Sequence, residues 1–191
     1  MPSSGAGAPA FPEVEPLTEV VRGAMVESRH RGAIAVVDSA GSLLYSVGDT
    51  DFRTFWRSAS KPLQALPALL TGAADRFGLE PRHIAIMCGS HTGKDYHVAA
   101  IREILERADI PESALHCEVP GRPAAPHGCS GNHVGMLVTA RHMGEPLEGY
   151  EEIDHPVQQR ILRLLAVLGG ASPEDIAVAS DGCGVPTFGM T

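Results

Sequence analysis

Arg57-Ser58-Ala59-Ser60-Lys61-Pro62-Leu63-Gln64-Ala65-Leu66 is the stretch from which the rest of this 191-residue chain can be read. Ser58 and Lys61 stand three residues apart. On a helix that spacing brings both side chains to one face, within reach of each other. A serine hydroxyl is a weak nucleophile until a neighbour takes its proton, and a lysine amine does so when desolvation or a nearby cation favours its neutral form. Composition makes this lysine stand out. Of 15 basic residues only Lys61 and Lys94 are lysines, and a guanidinium does not give up its proton as an amine does. The plain alternative is a solvated helix start, since Ser-x-x-Lys arises by chance in many proteins.

Outward from this stretch the apolar positions Leu63, Leu66, Leu69 and Leu70 keep a helical period. Pro62 lies early enough to be tolerated, whereas Pro67 predicts a kink or break, and Gly72 a stop. A short helix is predicted around Asp75–Phe77. Upstream, residues 32–37 and 43–47 read as two strands joined by Asp38-Ser-Ala-Gly-Ser42, a hairpin with turn residues in the middle. An earlier strand is predicted from Glu19 to Ser28. Downstream, Ile84-Ala-Ile-Met87 reads as a short apolar strand. Helices are predicted from an Asp95 cap through Leu105, from Ser130 to about His142, and from His155 to Gly169-Gly170. Residues 111–128, rich in proline and glycine, read as a loop. Ile176–Ala179 reads as a strand, and Thr187–Thr191 carries no signal for any element.

Three glycine-flanked polar loops carry chemistry. Ser90 lies in Cys88-Gly-Ser-His-Thr-Gly93, where little crowds its hydroxyl; an ordinary turn serine is the competing reading. Cys129 lies in His127-Gly-Cys-Ser-Gly-Asn-His-Val-Gly135, just ahead of a helix, where unpaired amides favour the thiolate. Cys183 stands between glycines in Asp181-Gly-Cys-Gly184. Two thiolates and a nitrogen ligand suit zinc with a position left for water, and His127 or His133 can supply the nitrogen. Two small buried cysteines beside solvent-facing histidines are the competing reading.

Composition bounds the rest. The net charge of −8 and the absence of a basic run argue against nucleic acid and against an anionic membrane. The first 16 residues, small and rich in Pro, Gly and Ser, read as a disordered tail without the basic and apolar regions of a signal peptide. No apolar run nears the roughly 20 residues a bilayer requires. The expected compartment is the cytoplasm, where the four cysteines are thiols or ligands rather than disulfides.

Taken together, Arg57-Ser58-x-x-Lys61-Pro-x-Gln-Ala-Leu, Cys88-Gly-Ser90-His91-Thr-Gly93, Cys129-Ser-Gly131-x-His133-x-Gly135-Met-Leu137 and Asp181-Gly182-Cys183-Gly-Val-Pro resemble the rhizobial-type L-asparaginases. They occur in the family's order, from about residue 17 onward. The resemblance implies an α/β (α+β) fold similar to serine β-lactamases and penicillin-binding proteins, with a sheet packed between helices. It implies that residues 17–191 are the N-terminal part of a single asparaginase-like domain, incomplete at its C-terminus. The implied reaction is hydrolysis of L-asparagine, a small-molecule amide, to L-aspartate and ammonia. Ser58 and Lys61 would form one Ser-Lys pair, and Ser90 would be the serine of a second. Arg57, His91, Asp181 and Gly182 would bind substrate. Cys129 and Cys183, with His133, would hold a zinc ion beside it. The resemblance also implies a homodimer.

Two departures from the family pattern matter. Asn132 stands where the zinc motif has lysine, which predicts weaker metal binding unless His133 or water compensates. The lysine that would partner Ser90 lies beyond residue 191; Lys94, four residues from Ser90, is its only sequence-local substitute. Two other readings stay open. One is another Ser-x-x-Lys acyl hydrolase, such as a serine-type glutaminase or a penicillin-recognising enzyme, though neither accounts for the two cysteine loops. The other is a non-catalytic metal- or ligand-binding module.

Overall fold

The computed structural model describes residues 14–117 and 123–191. The tail expected over 1–16 falls mostly outside that range, as do residues 118–122 of the expected proline-rich loop. The described chain separates into two compact units, residues 14–54 and Phe55–Met190.

The first unit consists of two antiparallel hairpins. Where one strand was expected from Glu19 to Ser28, there are two, β1 (Glu15–Arg22) and β2 (Met25–Gly32). Gly23 at φ 62° reverses the chain between them, a conformation open to glycine at little cost. Val21 then faces Val26 and Glu19 faces Arg29, whose guanidinium donates to the Glu19 carboxylate at 2.6 Å. The second hairpin matches its expectation: β3 (Ile34–Val37) pairs with β4 (Leu43–Val47). Asp38 closes its turn by accepting, through Oδ1, from the amides of Ala40 and Ser42 at 2.8 Å each. The apolar side chains of both hairpins stay exposed.

The second unit is built around one buried helix. Its helices are α1 (Lys61–Leu70), α2 (Ala73–Arg76), α3 (Pro81–Met87), α4 (Asp95–Arg107), α5 (Ser130–Met143) and α6 (Pro156–Gly169). The other five all contact α5, which is buried on every side from Ser130 to Ala140. A helix with no polar face can exist only in such a position. Small residues permit the close approach: a Cβ on Gly131 would overlap the Ile86 carbonyl of α3.

Three local expectations fail here. Ile84–Met87 is the end of helix α3, not a strand. Pro81 occupies its first turn, and the Glu80 amide donates to His83 Nδ1 at 2.9 Å, a start signal carried by Glu80-Pro81 rather than by the apolar run. Pro67 does not break α1. Its ring is buried, and packing against α5 and α6 offsets a cost of about 3 kcal/mol for an interior proline. The residues after the Asp181 loop form strand β7 (Pro186–Met190), buried throughout and paired antiparallel with β6 (Ala177–Ser180). Phe55, the end of the short strand β5 (Thr54–Phe55), lies on the other edge.

The class is therefore mixed, with helices and small antiparallel sheets. Where one sheet packed between helices was expected, the described strands form two hairpins and a separate three-stranded sheet. No described helix is long and apolar enough to cross a membrane.

Candidate active site

The quoted stretch enters the second unit as a tight bend. The Trp56 amide donates to the carbonyl of Phe188 in β7 at 3.1 Å. Arg57 then takes φ 49°, a left-handed conformation that costs a side-chain-bearing residue of order 1–3 kcal/mol and gathers at functional sites. A short 3-10 turn, Arg57–Ser60, carries Ser58 and leads straight into α1, whose first residue is Lys61.

Lys61 is buried, only 4% exposed, yet its ammonium reaches the loop after α3. Its Nζ donates to Ser90 Oγ at 3.1 Å, and Ser90 Oγ donates to Ser58 Oγ at 3.1 Å. The three residues named as catalytic thus meet, but in an unforeseen order. Lys61 bonds to Ser90, 29 residues away, and Ser58 is reached through it. Lys94 caps α4 with exposed surroundings and makes no hydrogen bond to Ser90.

His91 holds the Ser90 loop in place. Its Nδ1 accepts from the Gly93 amide at 3.1 Å, so the proton sits on Nε2, which donates to Ser130 Oγ at 3.0 Å. Burial, then the neighbouring His97 and the Lys61 charge, lower its pKa to about 4, and the ring is neutral at pH 7. His91 therefore orients the loop from behind.

Arg57 and Asp181, 124 positions apart, form a two-pronged pair: Nε and Nη2 each donate to one carboxylate oxygen at 2.9 Å. This is the geometry in which guanidinium and carboxylate bind most firmly. Asp181 Oδ1 also accepts from the Gly182 amide at 2.6 Å, so Gly182 serves the carboxylate through its backbone.

Cys129 is the N-cap of α5. Its pKa is lowered, first by a hydrogen bond from the Cys183 thiol and then by the Lys61 ammonium, while burial opposes. Cys183 is raised by the same contact and by burial. Cys129 is thus the more readily ionised of the two, at a helix end that favours negative charge. Buried Cys117 is pushed up to about 12, mainly by desolvation and then by the Cys129 charge.

His133 does not join them. It is fully buried in α5, and its Nδ1 lies 2.6 Å from the Tyr150 hydroxyl. That hydroxyl accepts from the His116 amide at 3.0 Å, so it donates its own proton to His133 Nδ1. The remaining nitrogen, Nε2, carries the ring proton and has no partner. In this arrangement neither ring nitrogen offers a free lone pair, and burial lowers the ring's pKa to about 3. Asn132 is engaged too, donating through Nδ2 to Gln64 Oε1 at 3.3 Å. The residues for zinc therefore fit only in part. Cys129 and Cys183 offer two adjacent sulfur donors, but no group of three or more His, Cys, Asp or Glu side chains is gathered for a metal among the described residues.

One set of residues escaped the sequence reading. Gln64 Nε2 donates to Ser60 Oγ at 2.9 Å, and Ser60 Oγ donates to the Arg57 carbonyl at 2.7 Å. With Asn132 at its far end, this buried chain ties α5 to the strained residue beside Ser58. Gln64 belongs to the motif that opens α1, and nothing in its spacing marks what it touches.

The model of a family described as L-asparaginase II matches residues 18–191 of the chain. No curated protein matches it.

Proposed function

The chain belongs to the L-asparaginase II family, and we propose from that premise that it is an amidohydrolase converting L-asparagine and water to L-aspartate and ammonia through a serine ester. The observation that carries this reading is the hydrogen-bonded chain from buried Lys61 through Ser90 to Ser58. Ser58 stands at its far end, exposed, beside the strained Arg57, and is the nucleophile. Lys61 is the base at the buried end of this chain. As Ser58 Oγ adds to the amide carbon, its proton passes to Ser90 and the Ser90 proton passes to Lys61. The carbon–nitrogen bond then breaks, and the departing nitrogen takes a proton back along the same path. Water cleaves the resulting ester and regenerates Ser58. Arg57 and Asp181 present both signs of charge to the zwitterionic end of the substrate.

Zinc has no step in this reading. Cys129 and Cys183 are where a zinc ion would find two of its ligands. The reading extends to a β-lactamase-like plan, to the cytoplasm and to a homodimer, on the sequence grounds given above.

Ammonia release from L-asparagine by the purified chain tests the proposal. Ser58→Ala should abolish release and Ser90→Ala should lower it. Full release from Ser58→Ala would remove the nucleophile assignment, and release from L-glutamine in preference to L-asparagine would move the reading to a glutaminase.

A further inference from the structure

A cavity of about 400 Å³ opens beside Ser90, between α3 and α4. Its size is that of a small-molecule pocket, roughly 300–1,000 Å³, and ammonia would leave it almost empty. Its floor is apolar: Ala85, Ile86 and Ala100. One wall is a run of rings. The His91 and His97 centroids lie 4.9 Å apart, and those of Tyr96 and His97 lie 4.1 Å apart. Such a wall favours a flat aromatic partner.

Charge sets the direction in which a substrate would lie. The permanent charge on the lining is Arg82, and it is already engaged, by Glu80 at 3.0 Å and by Glu103 at 2.7 Å. His91 is neutral at pH 7. Nothing here is free to hold an ammonium or a carboxylate. Arg57 and Asp181 are likewise engaged, with each other, but they bring both signs of charge together next to Ser58 and are not part of this lining. An amino-acid amide would therefore place its zwitterionic end toward Arg57 and Asp181 and its amide nitrogen toward the cavity.

We propose that the cavity between α3 and α4 receives an aromatic group carried on the amide nitrogen, so that the enzyme also hydrolyses N-aryl β-amides of L-aspartate. This rests on the hydrolase reading above and names a substrate class for the same site. Ser58 Oγ forms the ester as the carbon–nitrogen bond breaks, and the arylamine leaves with the proton returned from Lys61. Water then cleaves the ester, so one amide and one water give one L-aspartate and one arylamine.

The probe is the para-nitroanilide of L-aspartate, read by release of para-nitroaniline, with L-asparagine measured in parallel. Ala85 is exposed on α3, so Ala85→Phe fills the cavity without entering the core. That variant should lower the ratio of anilide to asparagine kcat/KM about tenfold, the size of effect expected from overfilling a site. Para-nitroaniline alone, measured by equilibrium dialysis, should bind the wild-type chain and bind Ala85→Phe about tenfold more weakly. Hydrolysis of asparagine with no anilide turnover overturns the inference and leaves the hydrolase reading standing. So does an unchanged ratio in Ala85→Phe. Absence of all hydrolysis overturns that reading, and the dialysis result then decides the cavity by itself: loss of binding in Ala85→Phe supports it, and no binding by the wild type overturns it.

Discussion

The N-terminus of α1 and the N-terminus of α5 are built on the same principle and finished differently. Each presents chemically active side chains at a positive helix end, and each is touched by the Lys61 ammonium. At α1 the ammonium donates to the Ser90 hydroxyl and that hydroxyl donates to Ser58, at 3.1 Å each, and the group is closed. At α5 the ammonium helps to hold the Cys129 thiolate, whose other partner is the Cys183 thiol, and the group is left with two sulfur donors and no third ligand. The difference lies in what the flanking residues already do. Ser90 is free to turn its hydroxyl toward Lys61, whereas Asn132 and His133 are taken up by Gln64 and Tyr150. A helix end by itself makes neither a nucleophile nor a metal site; the commitments of its neighbours decide.

Lys61→Met is the sharpest way to break the comparison, because it removes the one group both ends share. Asparagine turnover should fall about 10²- to 10⁴-fold, the range for loss of a general base, and Cys129 should lose part of its thiolate character. Turnover that survives would detach Lys61 from the chemistry. Next in size, Asp181→Ala should raise KM for asparagine roughly tenfold to a hundredfold, as expected for losing a charge-assisted contact of about 1.5–3 kcal/mol. A fall in kcat with KM unchanged would move Asp181 from binding to positioning.

Gln64 tests whether the bend at Arg57 must be held. Gln64→Leu leaves Ser60 and Asn132 without their partner, at a cost of roughly 1–3 kcal/mol. It should lower kcat more than it alters KM, while Gln64→Glu, which still accepts from Asn132, should recover part of the loss. Equal kinetics for both variants and wild type would reduce this chain to a matter of stability. At the α5 end, alkylation of Cys129 by iodoacetamide should proceed below the pH of an ordinary thiol, and Cys183→Ala should move that midpoint upward. An unmoved midpoint would assign the whole effect to Lys61 and the helix end.

The smallest effect is on stability with pH. His91 and His133 have folded pKa values of about 4 and about 3, below the ordinary 6.5. The unfolded chain therefore binds these protons first as pH falls, and stability that is complete above 6.5 is lost progressively below it. Thermal melts at pH 7 and at pH 5 should show the decline, and His133→Gln should make it shallower. A steeper decline in that variant would overturn the assignment of His133 as a neutral buried ring.

Much of this was legible in the chain itself. The Asp38 hairpin, α4, α5 and α6 follow from turn residues, caps and periodicity, which act over a few positions. The strand at Pro186–Met190 was not legible, since its burial comes from β6 and from helices distant in sequence. The α3 helix was misread because an apolar run of four residues fits a strand or a buried helix equally well. At the site, residue types and their loops could be named in advance, but not their partners.

What the sequence determined alone is the inventory: a serine and a lysine at a helix start, a second serine in a glycine-flanked loop, two cysteines likewise placed, and an Arg57 and Asp181 of opposite charge. Local chemistry and backbone freedom are properties of neighbouring residues, and they can be read without a fold. Only the tertiary structure decided that Lys61 bonds to Ser90 before Ser58, that Arg57 closes on Asp181, and that His133 turns to Tyr150 and away from the cysteines. Those pairings span 29, 124 and 17 positions. They are set by how five helices surround α5 and by which buried polar atoms must find partners there, and no local pattern encodes that.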